Sequence, residues 1–151
     1  MMSPAGARHG RIALKLARRL GDFVEKHGLG VTFAAETGFL LQRSPDTVRA
    51  PDVAFVAQAR LGMFADHPGF VPLAPDLVAE VVSPNDSSSD VEEKARDWIA
   101  AGVTVVLVVD PQTKTIREYR SAQEIRVYAQ GCMDLGIVMP GCRLDVSELF
   151  A

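Results

Sequence analysis

Residues 75–111 of this chain run PDLVAEVVSP (75–84), NDSSSDVEEKARDWIAAG (85–102) and VTVVLVVDP (103–111). These three pieces predict a strand, a helix with a polar start, and a second strand that is apolar on both faces. Because side chains alternate along a strand, Glu80 should share one face of the first strand with Val78 and Val82. A carboxylate on an otherwise apolar face is costly unless something binds it. Glu80 is therefore a candidate functional residue.

The helix of this unit should begin near Asp90 and end at Gly102. Residues 89–92 read SDVE, which has the S-x-x-E form of a capping box, and glycine commonly ends a helix. The helix has an apolar stripe that should pack on the sheet, formed by Val91, Ala95, Trp98 and Ile99.

Lys94 lies on the flank of that stripe. At about 100° per residue it is roughly 40° from Trp98 around the helix axis. We therefore expect Lys94 to lean toward the strand that holds Glu80.

The composition favours one globular domain over residues 1–151. Of the residues, 48% are hydrophobic and 23% are charged, which is enough apolar surface for a core. No apolar run approaches the ~20 residues of a membrane span, and residues 1–10 lack the apolar segment of a signal peptide. A cytoplasmic protein without membrane contact is expected. The net charge of -3 excludes a broadly basic nucleic-acid coat but still allows a local basic face.

The two cysteines, Cys132 and Cys142, have no C-x-x-C spacing and no histidine near them at ligand spacing. A zinc site and a disulfide framework are both disfavoured. We expect two buried or half-buried thiols.

An amphipathic first helix is predicted from Gly10 to about His27. Its polar side carries Arg11, Lys15 and Arg18 at positions i, i+4 and i+7. Such a run is usually a solvated basic face, and the alternative is a face that contacts phosphates.

The remaining segments predict a mixed sheet flanked by helices, which is an α/β (α+β) fold. Val31–Glu36 and Phe39–Gln42 should form a hairpin that turns at Thr37-Gly38. The other expected elements, in chain order, are a strand over 49–56, an irregular connection over 62–73, half-exposed antiparallel strands over 115–120 and 124–128, and a short strand near 137–139 before a terminal turn that seals the core.

Three acids and one lysine are candidates for chemistry: Glu36, Asp52, Glu80 and Lys94. Converging carboxylates repel one another unless a proton or a divalent cation lies between them. Oxygen-rich sites of this kind suit Mg²⁺ or Mn²⁺. A nearby ammonium group would then orient a water molecule or stabilise the transition state.

Each of these residues also has a purely structural interpretation. Glu80 could be a buried acid paired with Lys94 or Arg96. Asp52 follows Pro51 and could be a turn residue. The remaining structural alternatives are an i, i+4 ion pair between Lys94 and Asp90, and a hairpin end at Glu36.

The succession of motifs nevertheless resembles a known family. RAPDVAFV (49–56), PDLVAEVVSP (75–84), a Ser/Asp-rich cap, a helix with KARDWIAAGV (94–103) and an apolar strand ending in VDP (109–111) are similar, in this order, to the Uma-type restriction endonuclease family. That family lies within the restriction-endonuclease-like nucleases, which are named for a Pro-Asp and Asp/Glu-x-Lys motif. The resemblance covers residues 36–111 well.

The resemblance implies a restriction-endonuclease-like core in which Asp52 and Glu80 are metal-binding acids and Glu36 matches an earlier acidic position. Val82 stands where the superfamily usually has its lysine, two residues after Glu80. The resemblance implies that Lys94, on the following helix, takes that place.

These expectations together describe an Mg²⁺- or Mn²⁺-dependent endonuclease that hydrolyses DNA phosphodiester bonds. A domain of this size would need to form a homodimer to cut both strands of a duplex, and otherwise it would nick one strand or prefer single-stranded DNA. Asp52, Glu80 and Lys94 would be its catalytic residues. One alternative is a catalytically inactive nucleic-acid-binding or interaction protein that uses Arg11, Lys15 and Arg18. Another is a metal-independent acid/base hydrolase of small molecules with paired carboxylates, which would work in EDTA.

Overall fold

Residues 75–111 form a strand, a helix and a strand, as predicted, and the two strands are parallel. The computed structural model describes residues 5–151, apart from the side chain of Met63. In chain order the elements are α1 (Ala7–His27), β1 (Gly30–Ala34), β2 (Phe39–Gln42), β3 (Thr47–Arg49), β4 (Val53–Ala57), α2 (Gln58–Leu61), a 3-10 helix (Gly62–Asp66), β5 (Leu77–Val81), α3 (Ser88–Ala100), β6 (Val105–Asp110), β7 (Thr115–Tyr119), β8 (Ile125–Tyr128), β9 (Cys132–Asp134), β10 (Arg143–Asp145) and α4 (Val146–Phe150).

Six of the strands form one mixed sheet in the order β1-β4-β5-β6-β7-β8. The β5–β6 pair is parallel, because α3 connects these strands, and the other pairs are antiparallel. The strand β6 lies inside the sheet and is buried on both faces, which confirms the prediction from its uninterrupted apolar run.

Helices cover both faces of the sheet. On one face α1 packs with a buried stripe of Ile12, Leu16, Leu20 and Val24 against residues such as Val53 and Ala79. On the other face α3 packs Val91, Ala95 and Trp98 against Val78, Val106 and Val108. Glu80 belongs to the α3 face because it alternates with Ala79 and Val81 along β5.

The predicted hairpin between residues 31–36 and 39–42 is wrong. The strand β1 extends the main sheet by pairing with β4, while β2 pairs with β3 in a separate two-stranded sheet. The chain leaves the plane of the main sheet after β1, where Glu36 has a φ of 70°. Burial explains the choice, because Phe39 of β2 is fully buried against Ala54 and Val56 of β4.

Four further expectations need correction. The predicted strand over 49–56 is interrupted at 50–52, so that β3 and β4 lie in different sheets. Residues 137–139 form a turn inside the β9–β10 hairpin, where the main-chain N–H of Met139 donates to the carbonyl of Leu135. Cys132 is exposed and only Cys142 is buried.

The last correction concerns the start of α3. Its N-cap is Ser87, whose hydroxyl accepts the main-chain N–H of Asp90 at 3.1 Å, so that Ser89 is already helical. The helix ends before Gly102 as expected, and Gly102 has a φ of 104°.

Two predictions about the ends of the chain are confirmed. The first helix begins somewhat earlier than predicted, at Ala7, and ends at His27. At the other end, Val146 and Leu149 of α4 are fully buried in the core under α1. Within residues 5–151, we find no helix with the length and apolar character needed to cross a membrane.

Candidate active site at the end of strands β4 and β5

Asp52 lies at the point where β4 begins, just beyond the last residue pair that joins β4 to β5. That last pair is Val53 with Ala79, so the next position along the antiparallel register brings Asp52 opposite Glu80. The Asp52 carboxylate accepts the main-chain N–H of Val81 through Oδ2 at 2.7 Å. It therefore takes the place of a main-chain acceptor at the end of the ladder, and it is held beside Glu80.

Glu80 is largely buried, with 14% of its side chain exposed, on the α3 face of β5. Burial disfavours its charged form, and the neighbouring charge of Asp52 disfavours it further. Lys94 partly offsets both effects, and the pKa of Glu80 rises from 4.5 to about 7. The carboxyl group of Glu80 therefore titrates near neutral pH, well above the usual range of a glutamate pKa.

Lys94 faces this pair from α3, as the helical geometry predicted. Its Nζ lies 3.5 Å from Oε2 of Glu80, and half of its side chain remains exposed. Asp97, one turn later on the same side of α3, pairs with Arg49 of β3 at 2.8 Å. Lys94 therefore lies on the side of α3 that faces the β2–β3 hairpin.

The structure shows neither an ion pair between Glu80 and Arg96 nor one between Lys94 and Asp90 among the described residues. Arg96 pairs with Glu92 of its own helix at 2.9 Å, and not with Glu80. Lys94 pairs with Glu80 and not with Asp90. Two structural roles do persist, because Asp52 caps the β4–β5 ladder and Glu80 forms an ion pair with Lys94.

Among the described residues, no hydrogen bond or ion pair joins Glu36 to Asp52 or Glu80. Glu36 is exposed in the turn after β1. Across residues 5–151, no three histidine, cysteine or acidic side chains are grouped as the ligands of one metal ion would be. The acids that the β4–β5 register places side by side are Asp52 and Glu80.

His9 lies beside Asp52 and was not among the residues singled out from the sequence. Its Nε2 is 3.6 Å from Oδ2 of Asp52, and 16% of its side chain is exposed. Helical spacing could have identified His9 from the sequence, because at about 100° per residue it is within roughly 20° of Leu16 around α1. A polar residue on the buried stripe of a helix should face a polar partner.

The basic residues of α1 lie along the outer side of the same helix. Arg11 and Arg18 are exposed and Lys15 is half-buried. The side chains of Arg11 and Lys15 both donate to the main-chain oxygen of Ala151, at 3.2 Å each. A separate shallow cavity lined by Arg19, Phe23 and Cys142, among others, lies along the second half of α1 and includes no acid of the Asp52–Glu80 pair.

A mixed sheet flanked by helices, with two acids side by side where β4 begins and β5 ends, defines a restriction-endonuclease-like fold. The chain belongs to the Uma2 family, which is described as "Putative restriction endonuclease" and whose family model matches residues 1–147.

The fold is also similar to a solved structure, that of a putative nuclease belonging to DUF820 from Anabaena variabilis ATCC 29413. The two chains are 21% identical, and the match covers 99% of this chain and 83% of that one with a TM-score of 0.82. No functionally curated protein matches the sequence.

Proposed function

We propose that this protein is a metal-dependent endonuclease that hydrolyses phosphodiester bonds of DNA. The observation that carries the proposal is the grouping of Asp52 and Glu80 at adjacent strand ends with Nζ of Lys94 at 3.5 Å from Glu80. Two acids and an ammonium group at a partly open surface are suited to phosphoryl chemistry, which depends on positioning and on charge stabilisation.

The donor atoms at this site fit a hard divalent cation such as Mg²⁺ or Mn²⁺. Both acids offer carboxylate oxygens, and Mg²⁺ is commonly held by one or two carboxylates together with waters and substrate phosphates. Burial raises the pKa of Glu80 and the charge of Asp52 raises it further, and a cation between the two acids would relieve that repulsion. Such an ion would neutralise charge on the phosphate and promote ionisation of a nearby water molecule.

The protein groups divide the remaining work. Asp52 and Glu80 would hold the cation, and the largely buried position of Glu80 would strengthen that interaction by excluding water. Lys94, whose side chain is half exposed, would donate hydrogen bonds to the attacking water or to a phosphate oxygen.

The basic side of α1 offers a path for the DNA backbone. Arg11 and Arg18 are exposed on the helix whose first turn carries His9 beside Asp52. We propose that these arginines and Lys15 contact phosphates and contribute affinity without reading sequence. Residues 5–151 hold one such pair of acids, so we expect a homodimer if both strands of a duplex are cut.

Cleavage of supercoiled and single-stranded DNA tests the proposal. We expect the wild-type protein to cut in Mn²⁺ or Mg²⁺ and not in EDTA. The variants Asp52→Asn, Glu80→Gln and Lys94→Met should each lose at least ~100-fold in rate. Glu93→Gln is a matched control, because Glu93 is an exposed acid on the same helix as Lys94. The ratio of nicked to linear product reports whether one or two strands are cut.

Two results would contradict this function. Cutting that persists at the wild-type rate in Glu80→Gln would place the activity elsewhere or in a contaminant. Cutting that persists in EDTA would contradict metal dependence.

A non-catalytic nucleic-acid-binding protein is the second candidate, and the observation that favours it is the exposed basic face on α1, which is separate from Glu80. In that case the wild-type protein binds DNA without cutting it. Neutralising Arg11, Lys15 and Arg18 then abolishes binding, while Glu80→Gln leaves binding intact.

A further inference from the structure

Two groups approach Asp52 from different sides at a single oxygen, one as a hydrogen-bond donor and one at ion-pair distance. The main-chain N–H of Val81 donates to Oδ2 at 2.7 Å, and Nε2 of His9 lies 3.6 Å from the same atom. Among the described residues no hydrogen bond or ion pair involves Oδ1 of Asp52. The two oxygens of this carboxylate are thus in different environments.

We propose that His9 is a positioning residue for Asp52: it directs Oδ2 toward α1 and β5 and so leaves Oδ1 free for a cation. This inference rests on the proposed function in one respect, namely that Asp52 binds the cation. The role of His9 is to orient the carboxylate, and His9 itself touches neither substrate nor metal.

The placement of His9 gives it the rigidity that this role requires. His9 lies in the first turns of α1, where it precedes Ile12 and Leu16, which are 2% and 0% exposed. The packing of these residues on the sheet fixes the helix and with it the imidazole ring. Val81 approaches from β5, a strand inside the main sheet. The Val81 N–H and the His9 ring lie on separate, well-packed elements, and together they restrict rotation of the carboxylate more than either would alone.

A partner that orients a metal ligand acts on affinity as well as on geometry. Removal of such a partner commonly costs 10–100-fold in metal affinity or activity. In this protein, removal of the His9 ring should also weaken the hydrogen bond between Asp52 and the Val81 amide. That hydrogen bond can be observed without any metal.

The experiment compares His9→Gln with His9→Asn. The side-chain amide of Gln reaches about as far as Nε2 of histidine, whereas the amide of Asn ends near the position of Nδ1. Only Gln should therefore place a polar N–H near Oδ2 of Asp52. His27→Asn is the control, because His27 is an exposed histidine at the other end of the same helix. Two readouts are taken on the full chain: hydrogen exchange of the Val81 amide in EDTA, and calorimetric titration with Mn²⁺.

We expect His9→Asn to speed exchange of the Val81 amide about 10-fold and to weaken Mn²⁺ binding about 10-fold. The Val82 amide should not change, because it donates to the carbonyl of Val109 within the sheet. His9→Gln should stay within about threefold of wild type on both readouts, and His27→Asn should match wild type.

Unchanged Val81 exchange in His9→Asn overturns the proposal. Equal losses in His9→Asn and His9→Gln also overturn it, because ring packing and not the Nε2 donor would then matter. Failure of the proposed function can be distinguished from failure of the His9 proposal. A wild-type protein that binds no Mn²⁺ or cuts no DNA contradicts the proposed function. Hydrogen exchange at Val81 requires neither metal nor DNA, and it still decides the role of His9.

Discussion

At the residue scale, Glu80 occupies a position that a neutral side chain would fill more favourably in the metal-free protein. It is largely buried, it faces the charge of Asp52, and its ion pair with Lys94 is 3.5 Å long with a half-exposed partner. Ion pairs of this kind compensate only part of the cost of burying a charge. A carboxylate kept at such a position is a reasonable candidate for binding a ligand.

The free-energy cost of burying the charged form of Glu80 makes the stability of the protein depend on pH. Because folding raises the pKa of Glu80 from 4.5 to about 7, the folded protein retains a proton that the unfolded chain has already released between those values. The contribution of Glu80 to stability should therefore become less favourable as the pH rises from about 5 to about 8. We expect Glu80→Gln to raise the free energy of unfolding by up to about 3 kcal/mol at pH 8 and to change it little at pH 5.

Urea denaturation in EDTA at both pH values measures this difference. An equal free energy of unfolding for the two proteins at pH 8 would mean that Glu80 is not strained by burial.

A divalent cation should act in the opposite direction on the wild-type protein. At pH 8 a cation held by Asp52 and Glu80 stabilises only the folded state, by about 2.7 kcal/mol at 100 times its dissociation constant. We expect Mn²⁺ to raise the melting temperature of the wild type and to have little effect on Glu80→Gln. The same shift in both proteins would place the bound ion elsewhere.

Lys94 should affect both the pKa of Glu80 and catalysis. Lys94→Met removes the positive charge that lowers this pKa, so the pKa should rise further above about 7. Carboxyl carbon NMR during a pH titration measures the shift. A cleavage rate reduced at least ~100-fold in the same variant would indicate a catalytic contribution beyond the structural ion pair. Normal cleavage with a raised pKa would leave Lys94 with a structural role alone.

At the scale of elements, α3 carries Lys94 to the site, and its start sets the position of Lys94 along the sheet. The N-cap is Ser87, which accepts the N–H of Asp90, and an ion pair between Asp97 and Arg49 joins the helix to β3. The S-x-x-E sequence that begins at Ser89 predicted the wrong cap, because residues 87–89 are all serine and each can accept a hydrogen bond.

Paired serine variants test this cap. Ser87→Ala should lower the free energy of unfolding by about 1 kcal/mol, since the N–H of Asp90 loses its acceptor. Ser89→Ala, two residues away and already helical, should change it by less than about 0.5 kcal/mol. Chemical denaturation of the two variants decides between the caps, and a larger loss of stability in Ser89→Ala would favour Ser89 as the cap.

At the scale of the whole molecule, two elements share one face of the sheet. The helix α3 packs on β5 and β6, and the β2–β3 hairpin covers β4 through Phe39. Asp52 and Glu80 lie where β4 and β5 meet, between these two covering elements, and Lys94 faces them from α3. The helix α1, on the opposite face, reaches the same point through His9. Residues from separate parts of the chain thus meet at one position.

The basic side of α1 should appear in the salt dependence of DNA binding. Changing Arg11, Lys15 and Arg18 together to Gln should weaken binding and reduce the slope of log affinity against log salt by about 0.9 for each phosphate that the protein no longer neutralises. A charge-matched control changes exposed basic residues elsewhere, namely Lys26, Lys114 and Arg126. Equal effects of the two triple variants on affinity and slope would indicate a general charge effect without a binding face.

Local sequence patterns were sufficient to predict elements whose residues follow a single hydrophobic periodicity. Hydrophobic spacing predicted α1 and α3, the two-sided burial of β6 followed from its apolar run, and a helical angle placed Lys94 toward Glu80. These features depend on residues within a few positions of one another. The resemblance then assigned matching roles to Asp52 and Glu80, and the register of β4 and β5 brings them side by side.

Long-range burial determined the features that local patterns missed. The partner of β1 depended on which surface could bury Phe39, and the turn at residues 137–139 depended on the hairpin around it. His9 and Asp52 are 43 positions apart and meet only because α1 packs its stripe on the face of β4. Spacing along the chain specifies which side chains share a face of one element. Which faces of different elements meet is specified by the packing of whole elements, because that packing depends on the total apolar surface that is buried.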